Sequence, residues 1–145
     1  MFTRSYLQGH KDSVNCLYCK DNILLSADSK TIRIWDLRIN RSVKCLTGFN
    51  RDVEDMIIDD NEIITVASGN KIINFDTKND KIINNTPTSI LYEGKESKTL
   101  NCLLHLESFN QLVFCDEDYN IYCNNQMFHD KIHTGLISSI ACDPI

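Results

Sequence analysis

Three groups of residues in this chain have types and spacings that could do chemistry. Cys16 and Cys19 form a C-x-x-C pair, the spacing of paired thiolate metal ligands. His10, Ser26 and Asp28 supply the residue types of a nucleophilic triad. Trp35-Asp36-Leu37-Arg38 sets a carboxylate and a planar cation beside an aromatic ring, a combination suited to recognition. The metal reading is weak on context. No second C-x-x-C and no spaced His pair accompanies Cys16 and Cys19, and the alternation Val14, Cys16, Tyr18 reads as a strand. In a strand, residues three apart face opposite ways. The remaining cysteines, Cys45, Cys102, Cys115, Cys123 and Cys142, bring the total to an odd seven, so a disulfide framework would leave one unpaired. They read as reduced thiols packed as small hydrophobes, in cytosol or nucleus. Neither a metal nor a cofactor is expected. His129 reads as a surface residue and His133 as a repeat of His10.

Composition narrows the remaining classes. A formal charge of -5 gives no broad basic surface, which makes nucleic acid an unlikely main partner. The apolar runs are short, as in Asn22-Ile23-Leu24-Leu25, so no membrane helix fits. Met1 to Gln8 contains Arg4 and no apolar stretch, so it does not read as a secretory signal. A soluble protein without a membrane partner is the expectation.

The elements that must position these residues are strands. Hydrophobic period two dominates, β-branched residues are frequent, and polar breaks are short. The first unit reads as strands Val14 to Cys19, Ile23 to Ala27, Thr31 to Asp36 and Ser42 to Thr47. The second reads as Val53 to Ile58, Glu62 to Ala67, Lys71 to Asp76 and a fourth strand within Lys81 to Tyr92, where Asn84-Asn85-Thr86-Pro87-Thr88 makes a bulge or loop. The third reads as Thr99 to Leu104, Gln111 to Cys115, Asn120 to Cys123 and Gln126 to Lys131, and Leu136 to Ala141 reads as the first strand of a fourth.

The units repeat. Gly9-His10 to Leu17 lies over Gly48-Phe49 to Met56, Leu100-Asn101-Cys102-Leu103 lies under Val14-Asn15-Cys16-Leu17, and His133 to Ile137 lies under His10 to Val14. An aromatic column joins Trp35, Phe75 and Tyr122. The shifts are roughly 39, 47 and 37 residues, near the ~40–45-residue period of four-stranded propeller blades. The fold class is therefore all-β, a partial β-propeller of four-stranded antiparallel blades. Blade 1 is expected at about 9–47, blade 2 at 48–92, blade 3 at 96–131 and the start of a fourth at 133–145. Phe2 to Leu7 takes the place of an outer strand from a preceding blade.

Gly9-His10, Leu24-Leu25-Ser26-Ala27-Asp28 and Thr31-Ile32-Arg33-Ile34-Trp35-Asp36 resemble a WD repeat. The resemblance implies a propeller that holds protein partners rather than a catalyst. It also implies that His10, Ser26, Asp28 and Trp35 form a structural hydrogen-bond chain across blade 1. Asp28 stands one residue off the family's usual place, which puts its part in that chain in question. A histidine locked to such partners leaves no exposed nucleophile, so a hydrolase triad is not expected. In blade 2, Phe49 and Phe75 stand where His10 and Trp35 stand, so apolar packing must hold that blade.

Trp35-Asp36-Leu37-Arg38 is similar to the box with which WD-repeat substrate receptors dock the adaptor of cullin-4 ubiquitin ligases. On that resemblance Arg38 leaves the strand on one rim of the propeller and offers a bidentate cation to the partner, and Asp36 orients that rim. The alternative is a scaffold subunit of a nuclear, ribosome-biogenesis or signalling complex. Acidic clusters at Asp52-Glu54-Asp55, Asp59-Asp60-Glu62 and Asp116-Glu117-Asp118 read as solvated turns, or as an acidic rim for a basic peptide. A ring needs at least about four blades. A chain of 145 residues is thus expected to be part of a longer protein, or to close its ring by self-association with a second copy.

Overall fold

A computed structural model of the chain describes residues 6–78, 87–106, 109–129 and 133–141. The strands among them form three four-stranded antiparallel sheets. Blade 1 contains β1 (Cys16–Lys20), β2 (Ile23–Ala27), β3 (Ile32–Asp36) and β4 (Arg41–Leu46) in that spatial order. Blade 2 contains β5 (Val53–Ile58), β6 (Ile63–Ser68), β7 (Lys71–Asp76) and β8 (Ser89–Glu93). Blade 3 contains β9 (Leu100–Leu106), β10 (Gln111–Asp116), β11 (Ile121–Cys123) and β12 (Gln126–His129). The three sheets follow one another without closing a ring. No helix long and apolar enough to cross a membrane occurs among the described residues.

Alternation builds each sheet. Burial is deepest in the middle strands, where residues touch both the neighbouring strands and the next sheet. Leu25, Ala27, Ile32, Ile34 and Leu46 of blade 1 share a core with Phe49, Met56, Ile64, Val66 and Phe75 of blade 2. Ile57, Ala67 and Ile72 of blade 2 pack with Leu100, Leu103, Phe114 and Tyr122 of blade 3. The stability of each blade therefore rests on its neighbour.

Tight turns fix the register. Asn124 and Asn125, at φ 48 and 67, connect Cys123 to Gln126. A two-residue turn with both φ values positive matches the right-handed twist of its strands, and Asn tolerates that region. Gly69 bends the β6–β7 turn at φ 57, and a Cβ there would come within 2.7 Å of the Arg51 side chain.

Two expectations change. Leu136 to Ala141 forms no strand. The carbonyl of Ile137 is instead taken by side chains of β9, the Asn101 amide at 2.9 Å and the Cys102 thiol at 3.2 Å. Tyr122 does not stand in the column of Trp35 and Phe75. Trp35 pairs with Leu24 and Phe75 with Ile64, each three residues before the alanine near the end of its strand. Tyr122 pairs with Phe114, one residue before Cys115, which holds the alanine's place. Most of Phe2 to Leu7, residues 79–86 before β8, Lys131, the side chain of His129 and Cys142 lie outside the described residues.

Candidate functional site

In blade 1 the turn from β2 to β3 starts at Asp28 and places it under His10. Asp28 Oδ1 accepts the backbone N–H of Lys30 at 3.0 Å and of Thr31 at 2.7 Å, and Oδ2 accepts the Thr31 hydroxyl at 2.9 Å. His10 Nδ1 lies 2.8 Å from the same Oδ2. The other ring nitrogen, Nε2, is 2.5 Å from Ser26 Oγ, and Trp35 Nε1 donates to that oxygen at 2.7 Å. One proton arrangement satisfies every member: His10 donates from Nδ1 to Asp28, and Ser26 donates to Nε2 while accepting from Trp35. Burial pushes the Asp28 carboxyl up, but the His10, Lys30 and Thr31 hydrogen bonds outweigh it and hold the group at about 2. The displaced position of Asp28 is thus no obstacle to its joining the chain.

Geometrically this is an Asp–His–Ser relay, yet it is not a site of attack. Ser26 is buried, and its oxygen is already shared between an imidazole and an indole. No substrate carbonyl could reach it without dismantling the chain.

The other blades fill the same places differently. In blade 2 Phe49 meets Phe75 edge-on at 5.7 Å between ring centroids, where blade 1 sets His10 against Trp35 at 6.3 Å. Blade 3 keeps the acid. Asp116 follows Cys115 as Asp28 follows Ala27, and it caps its turn by accepting Asn120 N at 3.0 Å. Its Oδ2 accepts the Asn120 amide and the Tyr122 hydroxyl, each at 2.9 Å. Burial, followed by the Asp116 carboxylate, pushes the Tyr122 phenol up. Residue types alone concealed this network. Its signal was an acid closing the second strand with a polar residue opening the third, Asp28 with Thr31 and Asp116 with Asn120.

Asp36 and Arg38 end β3 at one rim of the blade. Asp36 Oδ1 accepts Arg38 N at 2.9 Å and Nε at 3.0 Å, while Oδ2 accepts Nη2 at 2.5 Å. The Arg38 side chain remains 68% exposed. Its hydrogen bonds hold the Asp36 carboxyl at about 2. One side of the guanidinium fork is therefore closed on Asp36, and the opposite edge is the part that faces solvent. A bidentate grip on a partner through the Nε side is not open to Arg38 in this state. In blade 2 Asp76 Oδ1 accepts Lys78 N at 3.0 Å, the same turn with a lysine.

The acidic clusters separate by role. Asp55 is half-buried between blades, where Oδ2 accepts Leu103 N of β9 at 2.8 Å. Burial pushes its carboxyl up despite that bond. Asp116 is buried as described, so neither acid is a solvated turn residue. Asp59 caps the β5–β6 turn through Asn61 N and Ile63 N. Cys16 faces this interior. Burial, then the Asp55 and Glu54 carboxylates, push its thiol up to about 12, so it stays protonated. Cys19, on the same strand, is exposed. No group of three His, Cys, Asp or Glu side chains able to hold a metal occurs among the described residues.

Comparison with known proteins agrees with this architecture. Residues 2–36 match the family described as WD domain, G-beta repeat. The chain is 32% identical over 113 residues to a WD repeat-containing protein 53 homolog of Dictyostelium discoideum, covering 74% of this chain and 28% of that protein. It is 41% identical over 49 residues to a THO complex subunit 6 homolog of Danio rerio, covering 32% and 15%. The chain thus spans less than a third of the length of either relative. Among solved structures, the WD40 β-propeller domain of Doa1 matches with a TM-score of 0.73 at 24% identity, over 94% of this chain and 46% of that one. The computationally designed Ika4 protein matches with a TM-score of 0.72 at 18% identity, over 96% and 85%.

Proposed function

The chain carries a WD40 repeat and folds as consecutive WD40 propeller blades, and from that premise we propose that it docks the adaptor of a cullin-4 ubiquitin ligase through the exposed edge of Arg38. The fold itself suggests protein–protein interaction, since propeller proteins of this kind are generally non-catalytic scaffolds. The observation that carries the finer reading is the Asp36–Arg38 clamp. It fixes a cation at the rim while leaving one edge of it to solvent. A guanidinium already oriented loses little freedom when it binds, so the contact favours specificity as well as affinity. We infer a cytosolic or nuclear location, a reading that the free cysteines among the described residues support.

The test is capture of the cullin-4 adaptor from solution by the wild-type chain and by Arg38→Ala. Loss of capture with Arg38→Ala, and retention with Lys78→Ala, is the expected outcome. A second reading comes from the likeness to a THO complex subunit homolog: a structural subunit of a multiprotein assembly without a ligase link. Under that reading Arg38→Ala leaves the associated proteins unchanged.

A further inference from the structure

A groove of about 440 Å³ opens between blades 1 and 2 on the side of the β1–β2 and β5–β6 turns. Its apolar wall takes one aliphatic residue from each of four strands, Ile23 of β2, Ile34 of β3, Val43 of β4 and Ile58 of β5. Ile34 and Ile58 are buried, whereas Val43 is left 54% exposed. The groove is therefore a partly uncovered continuation of the core between the two sheets.

Its rim is acidic and its cations are engaged. Lys20 Nζ lies 2.6 Å from Asp60 Oδ1, and Lys44 Nζ donates to the Thr77 carbonyl at 3.2 Å. Asp21, Asp59 and Glu62 also line the groove, and none of the three makes an ion pair among the described residues. Their positions are set by the backbone. Asp21 and Glu62 sit in tight turns at φ 53 and 64. Glu62 is pinned further, because its carbonyl accepts the Thr77 N–H at 3.2 Å and the Thr77 hydroxyl at 2.8 Å.

We propose that this groove binds an extended peptide of a partner protein in which a branched aliphatic residue is flanked by Lys or Arg. The aliphatic side chain would cover Val43 and extend the contact over Ile23. The flanking cations would meet Glu62 and Asp21, carboxylates that form no ion pair among the described residues. An acidic peptide or a nucleic acid backbone meets like charge there and is excluded. This site rests on the interaction-module reading but not on Arg38, which does not line the groove.

The experiment is a methyl and amide NMR titration of the full chain with three blocked pentapeptides: Ser-Lys-Ile-Arg-Ser, Ser-Glu-Ile-Glu-Ser and Ser-Lys-Ser-Arg-Ser. Only the first is expected to give saturable shifts at Ile23, Val43 and Ile58. Glu62→Lys is expected to weaken it by about tenfold, and Asp21→Lys serves the same end if Glu62→Lys does not fold. Arg38→Ala should leave the titration unchanged, so a failure here and a failure of adaptor docking are read separately. No saturable shift with the first peptide overturns the site, as does an equal response to either of the others or indifference to the charge reversals.

Discussion

Ser26 has one oxygen and two obligations. It gives a proton to His10 Nε2 and accepts one from Trp35 Nε1, both in a buried setting. Removing that oxygen strands an indole N–H and an imidazole lone pair together. Ser26→Ala is therefore expected to cost about 1–3 kcal/mol, measured by urea unfolding, whereas Ser26→Thr keeps the hydroxyl and most of the stability. Asp28, at the other end, sets an acid limit. Its folded carboxyl titrates at about 2 against an ordinary value of 3.8. A depressed acid stabilises the fold fully above the unfolded value and loses that contribution as pH falls through the folded one. Stability should drop between pH 3.8 and about 2, and Asp28→Asn should flatten that slope in acid titrations followed by circular dichroism. The four residues of this chain were legible from the Gly-His, Ser-Ala-Asp and Trp-Asp signatures. What the sequence could not reveal is that the Arg38 fork turns back on Asp36, because a partner two residues away depends on the turn's geometry.

At the scale of elements, a blade needs its interior filled but not by one chemistry. Blade 1 fills it with a polar relay, blade 2 with Phe49 against Phe75, and blade 3 with rings held by Asp116. Phe114 is the centre of that last arrangement. It is fully buried, stacked on Tyr122 at 4.9 Å and tilted against Tyr92 at the same distance. Phe114→Ala leaves a cavity among rings that cannot collapse inward, and it is expected to cost about 3–5 kcal/mol in urea unfolding. A loss below about 1 kcal/mol would mean that blade 3 contributes little to the cooperative fold. Apart from β8, which was only bracketed within Lys81 to Tyr92, and Leu136 to Ala141, which forms no strand, strand positions were readable from alternation to within a residue or two, because period two survives local changes. The register of Tyr122 was not. The Asp116–Asn120 turn is one residue longer than Asp28–Thr31, and β11 has only three residues. Counting across a turn of unknown length cannot say which aromatic faces which strand.

Across the whole molecule, coupling runs from each blade to the next through the innermost strands. β1 lies against β5, and β5 against β9. The repeat shifts made this nearest-neighbour order visible in the sequence, but not the polar bond that reinforces it. Asp55 looked like one more acid in a charged cluster. In the structure it reaches across the boundary, and its carboxylate accepts the Leu103 N–H at the start of blade 3. Apolar contacts alone would hold the two sheets together without fixing their relative height. A hydrogen bond from one backbone N–H to one carboxylate does fix it, since a slip of a single residue along β9 leaves that N–H buried and unpaired. Asp55→Ala is therefore expected to lower stability by about 1–3 kcal/mol and, more tellingly, to loosen blade 3 selectively. Amide hydrogen exchange should accelerate at Leu103 and along β9 and β10, while the β2 and β3 amides of blade 1 keep their protection. Uniform acceleration across all three blades would show that the chain unfolds only as a unit. Unchanged exchange at Leu103 would show that the Asp55 bond contributes nothing to the joint.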